Sequence, residues 1–274
     1  SDAVVDILED EYGVLWMATQ NGLVRYKDGQ IKTYTEADGL PHFRLSGLMI
    51  DQTGILWIAS WGGVGRYDGK TFEIFDLPEP DVDLQDYEQT VDWVTEIIED
   101  SKGKIWIARD GYGLCSFDGK KFQFLTKENG LPSNHVMDMD EDKQGQLWIS
   151  CRVAEGDHPN PAKRNGLGGV VCYDGTAIIN HAIVLGFERA DSYLSYCDKT
   201  GDMWLAASGV GIQHFDGTMY TTYRETNRMD LSRGMGINVA LKEHTGRKWF
   251  GFSGGLFRWM DGEIVHVSAS GPWN

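Results

Sequence analysis

The chain has 274 residues, 25 basic and 41 acidic, and its net charge of −16 repels phosphate backbones, so nucleic acid is not an expected partner. An aromatic content of 12% argues against disorder, and 34 glycines, nearly double the usual share of about 7%, point to many tight turns. No apolar run approaches the ~18 residues of a membrane helix; the aliphatic run at residues 182–185 is four long.

One unit recurs along the whole chain. Trp16, Trp57, Trp106, Trp148, Trp204 and Trp249 follow one another at intervals of 41, 49, 42, 56 and 45 residues. Three positions before each stands Gly13, Gly54, Gly103, Gly145, Gly201 or Gly246. Three before that stands an acid: Asp10, Asp51, Asp100, Asp142, Asp198 or Glu243. Asp-Gly follows each tryptophan, beginning at Asp28, Asp68, Asp118, Asp174, Asp216 and Asp261. Each unit reads as four short strands, A to D, with an Asp-x-x-Gly turn between A and B and an Asp-Gly hairpin between C and D. Four-stranded antiparallel units repeated six times predict an all-β, six-bladed β-propeller. The six tryptophans are expected in the packing between blades, and the six acids as turn caps.

In chain order the blades cover approximately residues 1–36, 37–77, 78–126, 127–183, 184–223 and 224–270 of one propeller domain. Blade one places Asp6 on its inner strand A. Blade two enters through Gly39-Leu40-Pro41, with Arg44 at the head of strand A and Trp61 in its B–C loop. Blade three is reached across about nine extra residues; Trp93 opens its strand A, Glu96 follows, and Arg109, Asp110 and Tyr112 occupy its B–C loop. Blade four repeats the entry as Asn129-Gly130-Leu131-Pro132, with His135 and Asp138 on strand A. Its B–C loop is about fourteen residues longer than the others and carries Arg152, Glu155, Asp157, His158, Lys163 and Arg164. Blades five and six lack Gly-Leu-Pro.

These segments resemble the two-component regulator propeller (Reg_prop) repeat. The resemblance is carried by residues 129–136, Glu141-Asp142 and Gly145-x-Leu147-Trp148-Ile149, and again by Asp38-Gly39-Leu40-Pro41, Asp51, Gly54, Leu56-Trp57-Ile58 and Tyr67-Asp68-Gly69. It implies a propeller like those in the input regions of hybrid sensor kinases, periplasmic or extracellular, often linked to glycan sensing and part of a larger sensor protein. The chain holds no kinase or receiver segment. It opens at Ser1 without Met, as expected of a trimmed product. Two readings of its ends stand: a closed ring that exchanges no strand, or a piece of a longer array.

In this strand order the A–B and C–D turns share one face, which is uniform, and all length variation falls on the opposite, loop face. Variable loops on a rigid scaffold carry function. Arg44, Trp61, Trp93, Arg109, Asp110, Tyr112, His135, Arg152 and His158 are therefore the candidate ligand-binding residues. Rings beside charged groups suit a sugar or another small polar ligand, with gap-filling between loops as the alternative. If the site is catalytic, His135 or His158 would act as base, with Tyr112 or Arg109 steadying the developing charge. The virginiamycin B lyase family, which shares the architecture and a Gly-x-x-Trp-like repeat, keeps a lyase or hydrolase open. A third reading is an acidic scaffold for a basic protein.

No cofactor is expected. Asp6, Glu96 and Asp138 occupy one equivalent inner-strand position and could hold a cation in a central channel, or pair with Arg or backbone amides. Residues 251–255 match Gly-x-Ser-x-Gly but lie in a β-hairpin, where a nucleophile elbow does not form. Cys151 and Cys172 flank the long insertion and are either bridged or free and buried.

Overall fold

The computed structural model describes residues 3–79, 92–153, 162, 166–186, 189–198, 200–223, 237–242, 247–252, 255–260 and 262–267. The chain is a six-bladed β-propeller whose blades are four-stranded antiparallel sheets. Blade one is β1 (Val4–Glu9), β2 (Leu15–Thr19), β3 (Gly22–Lys27) and β4 (Gln30–Tyr34). Blade two is β5 (Leu45–Ile50), β6 (Leu56–Ser60), β7 (Gly63–Tyr67) and β8 (Phe72–Phe75). Blade three is β9 (Val94–Glu99), β10 (Ile105–Arg109), β11 (Gly113–Phe117) and β12 (Phe122–Leu125). Blade four is β13 (Val136–Glu141), β14 (Leu147–Cys151), β15 (Gly169–Tyr173) and β16 (Ile178–Asn180). Blade five is β17 (Ser192–Cys197), β18 (Met203–Ala207), β19 (Gly211–Phe215) and β20 (Tyr220–Tyr223). Blade six is β21 (Ile237–Lys242), β22 (Lys248–Phe252), β23 (Gly255–Met260) and β24 (Glu263–Val267). Strand order in every sheet follows the sequence, and no blade borrows a strand. Contacts divide the chain into two compact units, Ser1–Asn129 and Gly130–Asn274.

The acid, glycine and tryptophan of the repeat form one hydrogen-bonded device. One oxygen of Asp51 accepts the amides of Thr53 and Ile55, closing the turn, while the other accepts the Trp57 indole N–H at 2.7 Å. The same indole bond recurs from Trp16 to Asp10 (3.0 Å), Trp106 to Asp100 (2.8 Å), Trp148 to Asp142 (2.9 Å) and Trp204 to Asp198 (3.2 Å). The turn glycine supplies a left-handed residue, with φ of 72° at Gly13 and 86° at Gly54. Three of the indoles pack toward the following blade: Trp16 lies 5.6 Å from Tyr67, Trp148 5.4 Å from Phe215, and Trp204 5.2 Å from Trp259. Glu243 and Gly246, the sixth copy, lie outside the described residues.

A second regularity was not anticipated. Every inner strand carries a β-bulge near its start, between Val4 and Asp6 in blade one and between Val136 and Asp138 in blade four. The residue after the bulge faces a small side chain on the next strand: Ala18, Ala59, Ala108, Ser150, Ala206 or Gly251. Bulges re-aim side chains, and the small partners leave room for whatever occupies that position.

Two local expectations are corrected. Asp-Gly makes a two-residue turn in blade one, between Lys27 and Gln30, where Asp28 itself adopts a positive φ of 49°. In blades two to five the turn widens to four residues, because the Asp carboxylate caps it from within; Asp68 accepts the amides of Lys70 and Thr71 at 2.8 and 2.7 Å. The apolar run at 182–185, in a chain with no helical period, forms most of a short helix, α1 (His181–Leu185), capped by Asn180 and ended by Gly186 at φ 72°.

Candidate functional site

On the loop face of the first unit, blades two and three present a layered cluster. Arg44 ends its guanidinium 4.7 Å above the Trp61 ring, and Trp61 lies 5.0 Å from Trp93 with the planes inclined by 31°. The stack is fixed by backbone. Trp61 donates its amide to the Arg44 carbonyl at 3.0 Å, and the Trp93 indole donates to Ser46 Oγ at 3.0 Å. Arg44 is exposed and both indoles are half-buried, so the cation and ring edges remain within reach of solvent.

Beneath them, Arg109 is only 2% exposed. Its Nε and a terminal nitrogen meet Asp92 at 2.9 and 2.7 Å, and its other terminal nitrogen donates to the Pro78 carbonyl at 3.1 Å. The guanidinium also lies 4.3 Å from the half-buried Tyr112 ring. Asp110 is 1% exposed, and its amide donates to the Trp93 carbonyl at 3.0 Å. Arg109 and Asp110 therefore underpin the loops in this structure, while Arg44, Trp61, Trp93 and Tyr112 supply the accessible chemistry. Asp92, which makes the central ion pair, is not among the residues that the sequence singles out. Its pairing crosses from one loop to another and leaves no short-range signal.

In the second unit, His135 and Arg152 come together at the base of the long insertion. The Arg152 amide donates to the His135 carbonyl at 2.8 Å, and a guanidinium nitrogen lies 3.4 Å from His135 Nδ1. Ser133 Oγ donates to the Arg152 carbonyl, and the Val153 amide donates to Asp191 at 2.7 Å. Both side chains are half-buried. His158, with Glu155, Asp157, Lys163 and Arg164, lies outside the described residues.

The equivalent inner-strand acids are tied to peptide N–H groups. Asp6 accepts from Ile7 and, on blade two, from Leu48 at 2.7 Å. Asp138 accepts from Met139 and, on blade five, from Ser195 at 2.8 Å. Asp140, two residues on, repeats the crossing to Cys197 at 2.7 Å. Glu96 accepts the Ile97 amide, and its carboxylate lies against Gly47 of blade two. These acids stitch neighbouring blades, and no metal-binding group of His, Cys, Asp and Glu occurs among the described residues. Burial pushes the carboxyls of Asp6, Asp138 and Asp140 above the usual range, against the pull of their amide donors.

All four cysteines are free. Cys151 sits opposite Gly169 and Cys172 opposite Trp148, so the register holds the two thiols three rungs apart and no bridge forms across the insertion. Ser253 and Gly254 of the Gly-x-Ser-x-Gly string lie outside the described residues.

Residues 130–152 match the model of the two component regulator propeller family. The chain carries a two component regulator propeller repeat. No curated protein matches it significantly. Among solved structures it is similar to the extracellular domain of the putative hybrid two component system BT4673 from B. thetaiotaomicron, at 18% identity and a TM-score of 0.76, covering 98% of this chain and 36% of that one. The corresponding domain of BT3049 from the same organism gives 21% identity and a TM-score of 0.73, covering 95% and 33%. The chain thus spans about a third of each of these extracellular domains. It is also similar to virginiamycin B lyase from Staphylococcus aureus, solved in a catalytically inactive form with quinupristin, at 15% identity and a TM-score of 0.71, covering 96% and 83%. No helix among the described residues is long and apolar enough to cross a membrane.

Proposed function

We propose that this propeller is a non-catalytic, ligand-binding part of an extracytoplasmic sensor input region, taking a carbohydrate at the loop face of blades two and three. The observation that carries this reading is the Arg44–Trp61–Trp93 stack, half-open to solvent beside the ion pair of buried Arg109 with Asp92. A sugar ring has apolar C–H faces that pack on indole planes and hydroxyls that bond to guanidinium and phenol groups. Tyr112 lies against Arg109, and the Arg109–Asp92 ion pair keeps the loops preorganised, which lowers the cost of binding. The likeness to extracellular sensor domains supports the location and the role as one part of a larger protein.

The test is a thermal-shift screen with neutral oligosaccharides, followed by calorimetry and mass analysis of the recovered ligand. Ligand at a hundred times its Kd adds about 2.7 kcal/mol to the folded state. Trp61→Ala and Trp93→Ala are each expected to weaken a hit at least tenfold while the ligand is recovered intact. A cleaved ligand would replace binding with the lyase or hydrolase reading, for which the His135–Arg152 pair of the second unit offers a base and a cation. Unchanged affinity in both variants would remove the site from this face.

A further inference from the structure

The turn face, uniform in sequence, holds a cleft of about 930 Å³ between blades one and two, within the first unit. Its buried wall is aromatic. Trp16 and Tyr34 are 5% and 6% exposed, their rings lie 6.2 Å apart at 25°, and Tyr67 of blade two closes the far side 5.6 Å from Trp16. Its rim carries Arg25, Lys27 and Lys32, three cations at alternate positions of the β3–β4 hairpin and so on one face.

The placement of these cations is unlike any other blade. Arg25 and Lys32 are direct cross-strand partners next to Trp16. The equivalent pair is Arg66 with Glu73 in blade two, where the charges neutralise each other at 3.2 Å. It is Ser116 with Gln123 in blade three, Cys172 with Ile179 in blade four, His214 with Thr221 in blade five, and Arg258 with Val265 in blade six. Like charges directly opposite on paired strands are destabilising. Neither Arg25 nor Lys32 has a carboxylate within ion-pair distance among the described residues; Arg25 lies 5.9 Å from the Trp16 ring and Lys32 4.4 Å from the Tyr34 ring. Four acids also line the cleft: Asp10 and Asp51, held by turn amides and indoles, Asp68, held by the amides of its own turn, and Glu11; none of them forms an ion pair with Arg25 or Lys32.

We infer that this cleft is a second binding site, for an anionic, ring-bearing ligand of the class of a uronic-acid oligosaccharide. The carboxylate lies between Arg25 and Lys32, where it relieves their repulsion, and the ring lies against the half-buried Tyr67, the accessible part of the aromatic wall. The volume falls within the range of ligand pockets, about 300–1,000 Å³.

The experiment is calorimetric titration of the whole chain with trigalacturonate, with a neutral galactose trisaccharide and inorganic sulfate as controls. Trigalacturonate is expected to bind, and each control at least tenfold more weakly. Lys32→Glu, which installs the cross-strand pair of blade two, is expected to abolish binding while leaving the melting temperature unchanged or raised by about 1–4 °C. Arg25→Gln, which removes one cation without creating a pair, should weaken binding at least tenfold, and Trp61→Ala on the opposite face should not change it. Absence of binding, equal binding of either control, or undiminished affinity in both Lys32→Glu and Arg25→Gln overturns the inference. Loss in Trp61→Ala alone overturns it too, and assigns the acidic sugar to the loop face.

Discussion

Asp142→Ala tests whether the repeat acid serves the turn alone or the turn and the blade core together. The carboxylate accepts the amides of Gln144 and Gln146 at 2.9 and 3.0 Å, the Gln146 side chain at 3.1 Å and the Trp148 indole at 2.9 Å. Trp148 is 1% exposed, so its N–H cannot turn to water once the acceptor is gone, and leaving it unpaired costs about 1–3 kcal/mol. The turn amides lie near the surface and rehydrate, so the bonds they lose are worth about 0.5–1.5 kcal/mol each. The single substitution should therefore cost about 2–6 kcal/mol. Made in a Trp148→Phe background, where the buried donor is absent, Asp142→Ala should cost about 1–3 kcal/mol less. That difference is the coupling energy of a double-mutant cycle, read by equilibrium urea unfolding of the four proteins. Equal cost in both backgrounds would refute the reasoning and reduce the acid to a turn cap.

Three further outcomes follow from the same physical accounting. Asp92→Ala should cost about 3–5 kcal/mol, because it strands the buried Arg109 guanidinium, whereas Arg109→Met should cost markedly less, since the 36%-exposed Asp92 side chain can hydrate; urea unfolding that ranks them the other way would show that the ion pair does not anchor the loops. The acids split in their response to pH: Asp51 and Asp198 are held below the usual carboxylate range, so their contribution is present above about pH 4 and is lost as pH falls further. Asp140 is pushed up to about 6 by burial, so its native state binds a proton more readily, and stability is gained as pH falls from neutral toward 4 and lost as pH rises through about 6. Melting curves between pH 4 and 8 should show that gain in the native chain and a smaller one in Asp140→Asn; identical slopes would contradict it. Burial pushes the thiols of Cys115, Cys151, Cys172 and Cys197 up to about 12, so none should react with a thiol reagent at pH 8 until denaturant is added, and rapid labelling of the folded chain would overturn that.

The architecture was legible because its determinants are local and repeated. An acid six residues before a tryptophan, with a glycine midway, is one closed circuit of hydrogen bonds, and all of it fits within seven residues of sequence. The same locality explains where reading failed. The Asp-Gly dipeptide looks alike in all six blades, yet the turn it makes depends on whether the following residues let the carboxylate cap it, as Lys70 and Thr71 do and Gln30 does not. The candidate site was legible by type and position, since Trp61 and Trp93 interrupt places where other blades carry small or polar residues. Burial was not legible: Arg109 and Asp110 look like exposed charges in a loop, yet they are 2% and 1% exposed, and Arg109 pairs with Asp92, 17 residues away. The turn-face cleft failed for the opposite reason. Uniform motifs there suggested a face with nothing to say, but the information sits in what stands opposite the tryptophan on the outer strands. At that position Arg66 faces Glu73 in blade two, while Arg25 faces Lys32 in blade one. A repeat hides such a difference best where its motif is most regular, because the recurring turns beside the two pairs are alike and only the cross-strand charges differ.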